Sequence, residues 1–255
     1  MSEKPIPRLV AHRGYMQNYP ENTWLGLEAA LESGACWIEF DIQMCADGCF
    51  ILLHDSDFKR TADTAVSVFD MGSERLRAIS VHEPARLGER YAPLPVCDLD
   101  TVLRKLRAYH SARAMVEIKQ ESLEQWGLER VMDALLEKLQ PYISQCVLIS
   151  YSQQALSYAR KNSAIDIGWV LDLYDHEHFK RAKQLCPHYL ICNERKIPPD
   201  QTLWSGTWQW MLYDINDPAR ALQWAARGVA LIETGSIGTL LLDPLLAEKA
   251  CRHAI

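Results

Sequence analysis

Short apolar runs alternate with longer stretches of helical spacing along the whole chain, and this alternation limits the fold more than any other feature. Runs at Leu9–His12, Cys36–Ile42, Phe50–His54, Ala114–Ile118, Cys146–Ser150, Asp166–Leu171, Tyr189–Cys192, Trp210–Tyr213 and Val229–Ile232 read as strands. Helical patterns cover roughly 22–33, 98–109, 123–139, 153–161, 176–185, 217–227 and 240–252. Ser122 is the expected N-cap of the third helix, and Asp217-Pro218 opens the sixth. Gly34 and Gly228 stand where helices should stop. The strand runs are apolar throughout, as expected for strands covered on both faces. Strand–helix repetition implies a parallel sheet with helical crossovers. About eight such units in 255 residues predict a TIM (β/α)8 barrel. An open doubly wound sheet is the alternative, but "HRGYMQ" after the first strand is not a glycine-rich dinucleotide turn.

Two segments break the rhythm. "MCADGCF" carries Asp47-Gly48 between two strand-like runs and reads as a hairpin turn. Residues 57–97 have no strong period and are rich in Gly, Pro and charge, which predicts a small insertion after an early strand. The expected organisation is one catalytic barrel domain over residues 1–255, with 57–97 an inserted subdomain or lid.

Composition removes some functions. The net charge is −6, and no basic stripe offers a sequence-independent grip on nucleic acid. An acidic protein that binds an anionic substrate needs local help from a metal ion or from clustered Arg and Lys. None of the eight cysteines forms a CxxC pair, and several lie in apolar runs, so buried free thiols are expected rather than disulfides. "MSEKPIPRLV" has no apolar signal core, and no run of about 18 apolar residues exists. These features predict a reduced, cytoplasmic compartment and no transmembrane segment. "TLWSGTWQWMLYD" holds three tryptophans, two of which are expected to pack helices against the barrel rather than stack on a cationic ligand.

The chemistry gathers at strand ends. Residues two apart in a strand face the same side, so "WIEFDIQ" sets Glu39 and Asp41 on one face and Ile38, Phe40 and Ile42 on the other. "AMVEIK" does the same with Glu117 and Lys119; "RLVAHR" ends at His12-Arg13 and "FILLHD" at His54-Asp55. Charges at the ends of buried strands are costly unless paired or metal-bound. In a parallel barrel those ends open onto the active-site face. A structural salt-bridge network would explain one such strand, but four are hard to explain as packing. Glu39, Asp41 and Glu117 offer three oxygen donors, which suits Mg2+ or Ca2+ rather than zinc. Arg13 and Lys119 add donors for phosphate oxygens. His12 and His54 remain for taking and giving a proton. Together they form a kit for cleaving a phosphodiester.

The loop "AHRGYMQNYPENT" links the first strand to the first helix. Gly14 is expected to let the chain turn close to the substrate. Asn22 or Thr23 can cap the helix, and Glu21 can sit beside the metal or orient His12 or Arg13. Glu21 and Asn22 are accordingly taken with the substrate- and phosphate-binding group.

The set "HRG…PENT", "EFD", "HD" and "VEIK", in this order, resembles the glycerophosphodiester phosphodiesterases of cytoplasmic bacterial type, from the first strand to about Asn216. The resemblance implies a TIM-type barrel, with a metal on the residues matching Glu39, Asp41 and Glu117. It implies His12 and His54 as the acid/base pair, with Arg13 and Lys119 on the phosphate. It also implies hydrolysis of glycerophosphodiesters to sn-glycerol 3-phosphate and an alcohol, through a cyclic phosphate formed by the glycerol's own hydroxyl. The likeness weakens towards the end of the chain. "YDIN" replaces the family's WTVN, with Tyr213 at the aromatic position and Asn216 retained; "IETGS" keeps Thr234 but has Gly235 where the family has Asp. The alternative is a related barrel acting on lysophospholipids, with sphingomyelinase D-like specificity. Phe58, Phe69, Met71 and Leu76 could give it an apolar surface, or could simply pack the insertion's own core. A barrel without catalysis and a metal-dependent sugar isomerase fit the residue set less well.

Overall fold

The computed structural model describes residues 5–251. Nine strands form one sheet: β1 (Arg8–Ala11), β2 (Trp37–Met44), β3 (Phe50–Leu52), β4 (Arg113–Ile118), β5 (Cys146–Ser150), β6 (Asp166–Leu171), β7 (Tyr189–Asn193), β8 (Gln209–Tyr213) and β9 (Val229–Thr234). Eight of them run parallel, and β1 pairs with both β2 and β9, which closes the barrel. The doubly wound alternative is thereby excluded. β3 is the exception. It turns back antiparallel on β2, with Ile42 opposite Leu52 and Met44 opposite Phe50. The turn is the expected one, with Gly48 at φ +84° and its N–H donated to the Cys45 carbonyl at 2.9 Å. His54 therefore does not end a barrel strand, as the sequence suggested. The hairpin carries it back to the barrel mouth.

The side-chain alternation divides the core in two. Ile38, Phe40 and Ile42 of β2 and Ala114, Val116 and Ile118 of β4 face the helices. Val10, Trp37, Met115, Val147, Ile149, Val170, Ile191, Met211 and Leu231 fill the barrel interior. Both sets are almost completely buried. At roughly 1.5–3 kcal/mol per large apolar side chain, this double layer is the main source of stability.

Several helix starts follow their caps. Thr23, Asp98, Ser152, Asp175 and Asp217 each accept a backbone N–H from the first turn. Two expectations fail. The third helix is broken at Gly127 (φ +87°) into Gln120–Trp126 and Leu128–Leu139. Ser122 does not cap it; fully buried, it accepts from the Met44 N–H at 2.8 Å and donates to Gln43 Oε1. That buried bond ties the helix to the β2–β3 hairpin. The final helical pattern is two short helices, Ile237–Leu241 and Pro244–Ala247, with Pro244 opening the second; residue 252 lies outside the described residues. No helix is long and apolar enough to cross a membrane, among the described residues.

Between β7 and β8 there is only a 3-10 turn, Glu194–Lys196. The tryptophans of "TLWSGTWQW" stand where a helix is otherwise found. Trp204 stacks on Tyr174 at 4.1 Å and accepts the Trp210 indole N–H at 3.0 Å.

Residues 57–97 contain three single-turn helices, Lys59–Ala62, Ser73–Leu76 and Pro84–Leu87. Phe58, Val68, Leu76, Val81 and Val96 join Cys45, Ile51 and Leu53 of the hairpin in a separate small core, with Phe69 and Met71 packed against it. Phe58 and Leu76 are fully buried, so they do not present an apolar surface to a lipid chain.

The cysteine expectation needs one correction. Cys36 and Cys251 form a disulfide across 215 residues, while the other six cysteines are free. The Cys251 N–H also donates to the Gly34 carbonyl at 2.9 Å, so the chain end is fastened beside the entry to β2. Thiol titration of the denatured, unreduced chain should count six free thiols, rising to eight after reduction. A count of eight without reductant would refute the pairing.

Candidate active site

The C-terminal mouth of the barrel holds a cavity of about 180 Å3 lined by His12, Arg13, Glu39, Asp41, His54, Glu117 and Lys119, with Tyr151, Tyr213, Asp214 and Glu233 on its far wall. Seven of the nine residues singled out in the sequence thus meet in one place. Glu21 and Asn22 lie behind this layer, buried against it.

Glu39, Asp41 and Glu117 each bring one oxygen to within 4.8 Å of the others. β2 supplies the first two, and its pairing with β4 sets Asp41 directly opposite Glu117. All three are buried. Glu39 Oε2 accepts the Arg13 backbone N–H at 3.0 Å, while its buried Oε1 has no partner. An orphaned carboxylate oxygen facing two other carboxylates is the condition of a cation-ready site.

Burial, followed by the charges of Asp41 and its other carboxylate neighbours, pushes Glu39 well above the ordinary carboxylate range. Burial and then Asp41 push Glu117 up to about 7. Asp41 goes the other way. Burial works against its ionisation but is outweighed by Arg13, Lys119 and the Asn22 hydrogen bond, which hold it well below the usual range. His12 is lowered to about 4 by burial and then by the Arg13 charge.

The cations are already engaged. Lys119 Nζ lies 2.7 Å from Glu117 Oε1 and 3.4 Å from Asp41 Oδ1. Arg13 Nε approaches Asp41 Oδ2 at 3.1 Å without hydrogen-bond alignment, and Nη1 donates to Glu21 Oε1 at 2.9 Å. Asn22 clasps Asp41 twice. Its Nδ2 donates to Oδ2 and its Oδ1 accepts the Asp41 N–H, both at 3.0 Å. Thr23 takes the capping role. Arg13 and Asn22 both sit at φ +53°, a strained value for non-glycine residues that costs roughly 1–3 kcal/mol each. Gly14 is needed for a different reason from the one its position suggested. At φ +87°, a Cβ there would lie 2.5 Å from the Gly26 backbone, so the glycine lets the loop pack on the helix start.

Sequence reasoning missed four participants. Arg60, from the insertion, donates to both Glu21 oxygens at 2.6 and 2.8 Å and to Asp55 Oδ2 at 2.8 Å. Asp55 in turn binds His54 Nδ1 at 2.7 Å. One chain of contacts therefore runs from His54 through Asp55, Arg60, Glu21 and Arg13 to Asp41. Glu83 accepts the Glu21 N–H, and Arg86 donates to the carbonyls of Met16 and Tyr19. Glu233 is the fourth, 4% exposed on β9 and pushed up in pKa by burial and then by Glu117 and Asp41. Its signal was present: Leu231 faces the barrel interior, so Glu233 two residues on must face the cavity. The altered C-terminal motifs hold each other, since Thr234 Oγ1 donates to Asn216 Oδ1 at 2.8 Å.

This fold and mouth define a (β/α)8 barrel with an acidic, histidine-flanked cation-ready site. A sequence model of the glycerophosphoryl diester phosphodiesterase family matches residues 12–182, and the chain belongs to that family. It is 33% identical over 146 residues to a glycerophosphodiester phosphodiesterase of Bacillus altitudinis, covering 57% of this chain and 58% of that protein. It is 35% identical over 79 residues to human glycerophosphodiester phosphodiesterase 1, covering 30% of this chain and 24% of that one. The matched stretches thus span little more than half of these relatives at most. An Oleispira antarctica phosphodiesterase, solved with sn-glycerol-3-phosphate, shares the fold with TM-score 0.81 at 21% identity, covering 93% of this chain and 96% of that one. A glycerophosphodiester phosphodiesterase from Agrobacterium tumefaciens does so with TM-score 0.74 at 20% identity, covering 93% and 100%.

The raised carboxyl of Glu117 makes stability pH-dependent. Between its ordinary value of 4.5 and about 7 the folded state holds a proton that the unfolded chain does not. That contribution is lost as pH rises through 7. The chelated protein should melt at progressively lower temperature from about pH 6.5 to about pH 8, above the range in which the lowered His12 acts with the opposite sign, and a divalent cation should cancel the fall. A flat profile after chelation would contradict the charge arrangement.

Proposed function

We propose that this chain hydrolyses glycerophosphodiesters to sn-glycerol 3-phosphate and an alcohol. The observation that carries the reading is the buried Glu39–Asp41–Glu117 triad, with an orphaned oxygen, in one cavity with two cations and two histidines. The triad would hold Mg2+ or Ca2+, hard ions suited to an all-oxygen set. Bound there, such an ion would supply Lewis-acid polarisation of the phosphate.

The remaining groups act directly on substrate. Lys119 Nζ and the Arg13 guanidinium set positive charge against the other phosphate oxygens. His12 and His54 carry protons. One takes the proton of the attacking glycerol hydroxyl and the other returns a proton to the departing alkoxide, which leaves a cyclic phosphate; water then opens that ring with the same two groups exchanging roles, giving sn-glycerol 3-phosphate. Asp55 on His54 Nδ1 fixes that ring and leaves Nε2 for transfer. Asn22 and Glu21 are positioning residues, the first for Asp41 and the second for Arg13. The insertion acts as a fixed buttress for the 14–23 loop, through Arg60, Glu83 and Arg86. Burial of Phe58 and Leu76 favours a glycerophosphodiester over a lysophospholipid. Six unpaired thiols beside the single Cys36–Cys251 disulfide favour a cytoplasmic setting.

Chelation should abolish turnover of glycerophosphocholine, with glycerol 3-phosphate as the measured product; full activity without metal would sink the proposal. His12→Ala and His54→Ala should each lower kcat by about 10²–10⁴-fold. A near-normal rate in either variant would remove that residue from the proton-transfer pair. Asn22→Ala should weaken metal affinity by roughly 10–100-fold, read by calorimetric titration.

A further inference from the structure

We propose that His12, Glu39 and Glu233 form a second divalent-cation site, sharing Glu39 with the first and suited to a transition-metal ion that takes mixed nitrogen and oxygen donors. The inference rests on the first metal site of the proposed function and extends it. One ligand atom from each of these three residues lies within 4.8 Å of the other two, the same closeness as in the Glu39–Asp41–Glu117 set. Glu39 belongs to both groups and has two oxygens to divide between them. Oε2 lies 3.9 Å from His12 Nε2, and Oε1 is buried without a partner.

Glu233 is the independent sign of a ligand. It is 4% exposed and lines the cavity, no salt bridge reaches its carboxylate among the described residues, and one of its oxygens lies within 4.8 Å of both His12 and Glu39. A buried carboxylate in that condition needs a cation or a proton. The neighbouring cations do not serve it. Lys119 is held by Glu117 and Asp41, and Arg13 by Asp41 and Glu21. Four buried carboxylates therefore face two cations, and one divalent ion brings the cluster only to neutrality.

The two donor sets differ in kind. The first is all oxygen. The second adds an imidazole nitrogen, which shifts preference towards transition ions such as Zn2+, while Mn2+ accepts both donor sets and serves as the paramagnetic probe. An ion on His12 also occupies the nitrogen lone pair that proton transfer requires. Filling the second site therefore slows turnover, and the rate should rise and then fall with increasing Mn2+.

Mn2+ binding to the full chain, followed by equilibrium dialysis and electron paramagnetic resonance, tests the proposal. The wild type should bind two Mn2+ per chain, with a spin-coupled spectrum from ions that share Glu39. Glu233→Gln should bind one and lose the coupling. Asp41→Asn, which disturbs the other set, should also retain one. A single Mn2+ in the wild type, or two in Glu233→Gln, overturns the second site. Glycerophosphocholine hydrolysis with one equivalent of Mg2+ tests the proposed function separately. Hydrolysis by a chain that takes up only one Mn2+ at saturation rejects the second site alone; two ions bound at saturation without hydrolysis under any metal loading reject the functional reading alone.

Discussion

Like charges confined in a low-dielectric barrel mouth are the constraint on which the site depends. Glu39, Asp41 and Glu117 cannot all ionise side by side without help, and the surrounding structure divides the load among them. Asp41 receives the amide of Asn22, the edge of Arg13 and the ammonium of Lys119, and stays charged. Glu39 receives one backbone N–H and is left with an oxygen that only a cation or a proton can satisfy. The uneven support leaves the cluster able to accept a cation, which a fully paired salt-bridge network could not do. Left-handed backbone at Arg13 and Asn22 is the local cost of bringing those supports round the first loop.

The insertion follows from the same constraint. Glu21 must be charged to hold Arg13, and burial opposes that charge; Arg60 and Arg13 together outweigh burial and lower its pKa. Arg60 begins the inserted segment, immediately after the hairpin that returns His54. The hairpin and insertion thus supply both one histidine and the cation that stabilises the arginine on the other side of the mouth. Ser122 and Gln43 lock the hairpin from behind, so the position of His54 depends on a helix that follows β4.

Much of this was legible in the chain itself, because its physics is local. Period-two alternation placed Glu39 and Asp41 on one face of β2, and Ile38, Phe40 and Ile42 on the other. Thr23 and Asp217 announced their helices, and Asp47-Gly48 its turn. Each of these depends on residues within a turn or a strand of one another. The same alternation, carried from the inward-facing Leu231, reaches Glu233.

What the sequence by itself determined is the list of strands, their inward faces and the residue types at the barrel mouth. Tertiary structure alone decided which of those residues meet. Cys36 pairs with Cys251 only because closing the barrel brings the chain end beside the entry to β2. Gly14 is required by the backbone of Gly26, not by a ligand. Arg60 reaches Glu21, and Glu233 approaches His12 and Glu39, across separations of 39 and more than 190 residues. Periodicity is written in neighbouring residues, whereas the partners of a buried charge are set by closure of the sheet, which no local pattern specifies.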